Sequence, residues 1–456
     1  MVLVLTVVVL QSISFANYAL TTKTTNIIYG SAPYLTFDGG RTRVTNTAAL
    51  LGISLSDGRK FTPATNNSSL ANPIVLPVAG QSFNDIGMLV PTDTNSIALS
   101  SLIGPPNNYW GDDDGDGQGI DGITATGSLN LSIVDDYNNP VARNEVLTMC
   151  KVLYKLTLSN DEGTLKTRYG VPNESRFSAS NATYYINPKA APVICYASPN
   201  SIYGEGLSAA VWKKVNGFLP QSFTPSSYGL NFPTTGANNL EFQLKMRGIN
   251  QALSWAPVSH GGITATMTNS TSYSVRVTLT GPVAKGYQLH SDNPGEIARP
   301  SLPQVFELVG RDSSGNAVIK YGFVLKQWFV NRSPSDGEGH SYSSTSSWCN
   351  KIGYRLVKVK DLTNADCREL SSDCQGATPS SPDNKYRHHI GVGLFSEWGN
   401  LCSTYYNPFG SFPCGTSYWT QDRVGSSQEY FVVNSEYGRV SHDRYNNYAY
   451  GVCVYP

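Results

Sequence analysis

This sequence is short of charge. Asp, Glu, Lys and Arg make up 14% of its 456 residues, with 33 basic side chains matched by 33 acidic ones. A chain with no basic excess offers no field to attract phosphates or acidic lipid, which argues against nucleic acid as a partner. The apolar run Val2 to Leu10 falls short of the roughly 20 helical residues that cross a bilayer, and no other segment does better. No membrane-spanning segment is expected in the mature chain. CxxC pairs and Cys/His clusters at zinc-ligand spacing are absent. So are the Gly-x-Ser-x-Gly nucleophile elbow and the His-Glu-x-x-His signature. His388 and His389 stand together, and they are read as flanking a strand and facing opposite ways rather than sharing a metal. The sequence is not read as an enzyme.

What is present points to β-structure outside the reducing cytoplasm. Hydrophobic residues at 40% exclude wholesale disorder, and 42 Gly, 26 Pro and 27 Tyr are the inventory of a turn-rich β-protein. At roughly 150 residues per domain, the length suggests about three units, loosely held. Val2 to Leu10 followed by Ser14-Phe15-Ala16 fits a signal peptide over 1–16 cleaved after Ala16. No Lys or Arg precedes Lys23, so the usual basic flank is missing and the true start is expected further upstream. Eight cysteines, six of them between Cys349 and Cys453, favour disulfides in an oxidising compartment. Export is the consequence.

Period-two alternation dominates the first two thirds. Leu129, Leu131 and Ile133 define one half-buried face, Val152, Tyr154, Leu156 and Leu158 a second, Phe242 and Leu244 a third, and Tyr273, Val275, Val277 and Leu279 a fourth. Turn residues separate them, and no capped helical stripe precedes about residue 340, so antiparallel sandwiches are the natural packing solution. The expected layout is an immunoglobulin-like β-sandwich over 17–200, a second over 201–330, and a C-terminal α+β module over 331–456, with a linker from Asn331 to His340. Asp135 to Val141 parallels Asp312 to Val318 as two hairpin loops, and Gly-Ile-Thr-Ala-Thr recurs at 122–126 and 262–266. Cys150 and Cys195 lie in apolar, strand-like surroundings and are expected to bond to each other, closing the first sandwich.

The last third changes character. Ser343 to Ser347 with Trp348-Cys349 reads as a helix stopped by Gly353. Tyr354 to Val359 reads as a strand, and Asp361 is read as capping a second helix that runs towards Leu370. Ile390 to Leu394, Glu397-Trp398-Gly399, Tyr418-Trp419-Thr420, Tyr430 to Val433 and Tyr450 to Val454 follow and read as short aromatic strands. This order resembles the C-type-lectin-like fold. The resemblance implies a bond between Cys349 in the first helix and Cys453 in the last strand. By proximity Cys367 would pair with Cys374 and Cys402 with Cys414, although six cysteines leave the connectivity open. Sandwiches followed by such a module resemble the extracellular part of the intimin and invasin adhesins of enteric bacteria. The runs Tyr228 to Gly236, Phe329 to Arg332 and Tyr450 to Cys453 are similar to an enterobacterial adhesin-like family. The resemblance implies a protein at the cell surface or secreted that binds a host-cell or matrix protein, or a glycan. Intimin and invasin also carry an outer-membrane barrel, for which this chain has no room.

Two candidate sites emerge. Asp112, Asp114 and Asp116, with Gly117, place carboxylates at positions 1, 3 and 5 and glycine at 6 of a calcium-loop pattern. Position 12 is Ile123 instead of the bidentate Glu, and Asp121 could lend a further carboxylate. Calcium is thus a candidate cofactor, against the alternative of a solvated acidic turn. The Glu-Pro-Asn and Trp-Asn-Asp signatures of calcium-dependent sugar lectins are missing. Among the aromatics of the last module, Tyr405, Tyr406 and Phe409, between Cys402 and Cys414, are the expected ligand-binding residues; most others are read as core. A lectin without the usual sugar motif and a fold relative of the formylglycine-generating enzymes are the competing functions. The latter would need free thiols.

Overall fold

The computed structural model describes residues 29–44, 47–117, 122–151, 153–332, 339–401, 412 and 415–456. The expected signal segment 1–16, Val152, Asp121, Cys402, Tyr405, Tyr406, Phe409 and Cys414 lie outside them. The chain is mainly β and forms two compact units, residues 1–147 with 151–188, and residues 148–150 with 189–456.

In the first unit, a five-stranded sheet runs Ile74–Val75, Ser180–Asn187, Tyr154–Asn160, Ser128–Val134, Ser96–Ala98. The pairing is antiparallel except for Ile74–Val75 against Ser180–Asn187. Alternate residues are buried along the long strands, so Leu129, Leu131, Ile133, Tyr154, Leu156 and Leu158 form one inner face, as their spacing requires. A three-stranded sheet of Glu174–Phe177, Gly163–Thr167 and Ile123–Ala125 contributes Leu165 and Phe177 to the same core.

The second unit begins with a sandwich. Its larger sheet runs Trp212–Lys213, Gly217–Phe218, Val193–Pro199, Leu240–Arg247, Ser274–Thr280, Ile263–Thr268, Val258–His260. The smaller holds Ser254–Trp255, Gln304–Arg311 and Ala317–Leu325. Phe242 of the first sheet meets Phe323 of the second edge to face at 6.0 Å, and Phe323 stacks on Phe306 at 5.2 Å. Val275, Val277 and Leu279 are fully buried as expected, whereas Tyr273 stands before its strand and is 59% exposed.

Both Cys150 and Cys195 fall in this second unit, and their disulfide is present. Cys195 lies on Val193–Pro199, which pairs with Leu240–Arg247. The bond therefore belongs to the second unit instead of closing the first sandwich. The change of unit falls at 188–189, where the sequence reading drew it at 200, because Val193–Pro199 finds its hydrogen-bond partner downstream.

Strand Gln327–Arg332 follows Ala317–Leu325 after the single residue Lys326 and leads into a different sheet, ordered Thr235–Ala237, Gln327–Arg332, Gly451–Tyr455, Arg355–Leu356. Asn331 and Arg332, expected to open a linker, are buried strand residues. One hydrophobic core runs from Ile194 through Phe242 and Trp328 to Trp348 and Val454. The sandwich and the terminal module are thus fused, and the loose tethering expected between them is corrected. Trp328, Trp348, Trp398 and Trp419 are at most 2% exposed. Each removes roughly 150–250 Å² from water, worth about 4–6 kcal/mol before entropy is counted.

The two parallel loops share one geometry. Asp135 Oδ1 accepts from the amides of Tyr137 and Asn139, and Asp312 Oδ1 from those of Ser314 and Asn316. Asp135 and Asp312 amides donate to the carbonyls of Asn139 and Asn316. The left-handed position is filled by Asn138 (φ 61°) in one and Gly315 (φ 85°) in the other, residues that tolerate it best. The sequence repeat is therefore a repeated turn.

Candidate functional site

The terminal module begins with helix Tyr342–Lys351, capped by Ser341, whose hydroxyl accepts from the Ser344 amide; Gly353 follows at φ +85°. The Gly353 stop is where the sequence places it, while the start lies one residue ahead of the expected Ser343. Cys349 on this helix bonds Cys453 on Gly451–Tyr455, and Cys367 bonds Cys374. The next helix is only Val359–Leu362, one turn. Asp361 lies within it instead of capping it from outside, with its carboxylate accepting from the Lys358 amide and pairing with Arg355 at 2.5 Å. The expected strand Tyr354 to Val359 shortens to Arg355–Leu356. Ile390 to Leu394 turns into helix Leu394–Trp398 instead of continuing as a strand.

Helix Leu394–Trp398 carries a polar cluster that the sequence did not announce. Glu397 is fully buried. Its carboxylate accepts from the amides and hydroxyls of Thr234 and Thr235 at 2.6–3.2 Å and from the Gly391 amide at 2.7 Å. Trp398 Nε1 donates to the Thr235 carbonyl at 3.1 Å. A carboxylate so satisfied is a structural clamp, holding residues 391–398 against the strand that starts at Thr235. His388 is also fully buried; its ring stacks on Trp212 at 3.7 Å, and Nδ1 donates to the Ser396 carbonyl at 3.1 Å. Burial pushes its imidazole down to about 3, so it is neutral at physiological pH. His388 and His389 are not on a strand. His388 packs in the interior, while His389 Nδ1 lies 2.9 Å from the Ile390 carbonyl. Two groups with catalytic chemistry, Glu397 and His388, are thus spent on packing and hydrogen bonding. Tyr418 and Trp419 are core residues at 0% exposure, in line with their reading as packing.

The surface is built by the second sheet of the module, Ser417–Arg423, Glu429–Asn434 and Val440–Arg444. At one end of its hairpin, Ser417, Asn434, Glu436, Tyr437, Arg439 and Ser441 line an open depression of about 330 Å³. Tyr437 is 51% exposed, and the turn is held by Asn434 Oδ1 accepting from the amides of Glu436 and Tyr437. Hydrogen bonding to Glu436 raises the Tyr437 phenol above its ordinary value, so it stays a hydroxyl donor at neutral pH. Tyr445 and Tyr448 are exposed in the loop before the last strand. Sequence reasoning missed Tyr437 because nothing in Ser-Glu-Tyr-Gly distinguishes a turn tyrosine from a buried one. Tyr405, Tyr406 and Phe409 precede Ser417 in the chain but are not among the described residues.

The acidic loop of the first unit separates its aspartates by role. Ligand atoms of Asp112, Asp114 and Asp116 lie within 4.8 Å of one another. Asp113 instead turns outward to pair with Arg43 and accept from the Tyr34 hydroxyl at 3.0 Å. Asp112 Oδ2 accepts from the Gly117 amide at 2.8 Å, and Asp114 Oδ2 from the Ser31 amide at 2.7 Å. Burial raises the Asp112 carboxyl, while a hydrogen bond shared with Asp112 lowers Asp114. At this spacing and an effective dielectric near 20, each pair of ionised carboxylates repels by roughly 3–4 kcal/mol.

These features define a mainly β protein with a disulfide-closed α+β module fused to its second sandwich. Among solved structures, the chain is similar to invasin, described as a bacterial integrin-binding protein, at 14% identity and a TM-score of 0.35. That match covers 74% of this chain and 52% of the invasin chain, so this chain spans about half the length of that structure. It is also similar to intimin in an intimin–Tir90 complex, at 15% identity and a TM-score of 0.28, covering 58% of this chain and 99% of the other. A 282-residue C-terminal intimin fragment bound to the intimin-binding domain of the translocated intimin receptor matches at 10% identity and a TM-score of 0.26, covering 74% of this chain and all of the fragment. No protein-family profile and no curated protein matches the sequence.

Proposed function

We propose that the chain is an exported adhesin that binds a protein on a host or neighbouring cell through its terminal module, residues 331–456. The two sandwiches, in this reading, form the stalk. The observation that supports it is the open depression around Tyr437, a tyrosine and a mixed set of polar groups displayed on a rigid, disulfide-closed scaffold. Rigid, half-exposed tyrosines lose little entropy on binding and serve as anchors at protein interfaces. The disulfides Cys150–Cys195, Cys349–Cys453 and Cys367–Cys374 suit an oxidising environment and hence export. The sequence resemblance to intimin and invasin agrees with both. Tyr405, Tyr406 and Phe409 are proposed as further ligand-binding residues of the same module.

The test is binding of the oxidised whole chain to epithelial cells and to immobilised matrix proteins. Saturable binding is expected, and Tyr437→Ala combined with Arg439→Ala should weaken it at least tenfold with an unchanged melting temperature. Undiminished binding by that variant would move the site elsewhere. Absence of binding to any of these targets would refute adhesion to them. A second reading, a glycan as ligand, is favoured by the mix of Asn434, Glu436, Arg439 and two serines around one exposed ring. Competition by free sugars, or loss of binding after glycosidase treatment of the cells, would select it.

A further inference from the structure

Asp116 is buried without a partner: it is 3% exposed, and neither of its oxygens has a hydrogen-bond partner among the described residues. Asp114 Oδ1 beside it is likewise buried and unpartnered. No ion pair among the described residues reaches Asp112, Asp114 or Asp116; the Arg43 guanidinium pairs with Asp113. Buried charge without a donor or counter-charge is strongly disfavoured, and two further half-buried carboxylates beside Asp116 compound the cost. A solvated acidic turn escapes that cost by keeping its carboxylates in water. This loop instead folds Asp116 against the backbone of Gly170, where even an added Cβ would overlap the carboxylate, and Asp114 against Gly30.

We propose that Asp112, Asp114 and Asp116 bind one calcium ion, with Asp116 contributing its two free oxygens. The donor set is all oxygen, which selects a hard cation over zinc or copper. Calcium takes oxygens at about 2.3–2.6 Å in irregular shells, so ligands on opposite sides of one ion stand about 4.6–5.2 Å apart. Three oxygens within 4.8 Å can share it. Magnesium, with shorter bonds and a strict octahedron, fits a loop with carboxylates on alternate residues less well. The ion has a mechanical role as well as an electrostatic one. Ser31 is bonded to Asp114, the Gly30 amide to the Val171 carbonyl, and Gly170 packs on Asp116. Calcium therefore pins three separate stretches of the first unit, residues 30–31, 112–117 and 170–171, at one point.

Terbium, which replaces calcium and luminesces when a nearby indole is excited, is the direct probe. Trp110 is in place: a Cβ on Gly117 would lie 3.0 Å from its ring. The whole chain, stripped with EDTA, is expected to sensitise terbium emission that calcium displaces and magnesium at equal concentration does not. Its melting temperature should rise by several degrees between EDTA and 5 mM calcium chloride. Asp116→Asn should weaken calcium at least tenfold and abolish that rise. It should melt no lower than the parent in EDTA, because it removes repulsion; that separates loss of the site from misfolding. Asp113→Asn should keep the full response. No calcium-dependent shift up to 10 mM with no terbium signal would overturn the proposal, as would an undiminished response in Asp116→Asn. Neither result bears on adhesion, which is read from cell binding.

Discussion

Truncating Glu397 to alanine tests whether the terminal module and the sandwich are held as one body. The carboxylate serves three backbone amides, those of Thr234, Thr235 and Gly391, and two threonine hydroxyls. The hydroxyls can rotate to other acceptors; the amides cannot. Each buried amide left without an acceptor costs about 1–3 kcal/mol, so three give about 3–9 kcal/mol, with the cavity adding to it and water entry subtracting. A loss of at least about 4 kcal/mol is expected, measured as the shift of the guanidinium midpoint followed by tryptophan fluorescence. Glu397→Gln keeps the volume but turns a donor towards these amides, and about half that loss is expected. Thr235→Val should cost about 1.5–3 kcal/mol in the parent and little in the Glu397→Ala background, a coupling of at least about 1 kcal/mol. A Glu397→Ala variant within about 1 kcal/mol of the parent would refute the clamp.

His388 gives a pH signature. Its folded value, about 3, is below the ordinary 6.5, so the unfolded chain takes up the proton first. Stability is fully present above pH 6.5 and lost as pH falls towards 3, by about 1.4 kcal/mol per unit. The urea midpoint should therefore drop between pH 6.5 and 5 by the equivalent of about 2 kcal/mol, and His388→Gln should remove most of that slope. Replacing both Cys349 and Cys453 by alanine opens a link of sequence separation 104 and should cost about 2–5 kcal/mol in thermal unfolding. Gly322→Ala drives a methyl into the Tyr228 ring, 2.1 Å from where a Cβ would sit, and should destabilise by about 1–3 kcal/mol in denaturant.

Which parts of this architecture the sequence reveals follows from the range of the interactions. Leu129 to Ile133 and Val275 to Leu279 disclose their strands because alternation is a local consequence of one buried face. Helix Tyr342–Lys351 is legible from its serine-rich start and its glycine stop, both local signals. Glu397 is not, since Thr234 and Thr235 lie more than 160 residues away and a threonine pair carries no mark of what it will meet. The helix expected from Asp361 towards Leu370 failed for a related reason. The Asp361 carboxylate accepts from the Lys358 amide and pairs with Arg355, and Thr363 to Ala365 are drawn into the core as irregular chain. Of the acidic loop, the alternation of aspartates is readable. That Asp113 would be claimed by Arg43, and that Asp116 would be buried without a partner, required the fold.

The passage of Gln327–Arg332 out of the sandwich with one intervening residue bears on how the protein responds to being pulled. A tether with a hinge lets its tip swivel, and load falls on the hinge first. Here a pull on the tip runs along a continuous strand whose neighbour, Gly451–Tyr455, is bonded to it from Trp328–Tyr455 to Arg332–Gly451. Cys349–Cys453 stands covalently behind that neighbour. Separation would have to shear the ladder as a whole instead of unzipping one pair at a time, and the disulfide would cap how far it could travel. In flow, such a joint would keep the terminal module aimed rather than trailing.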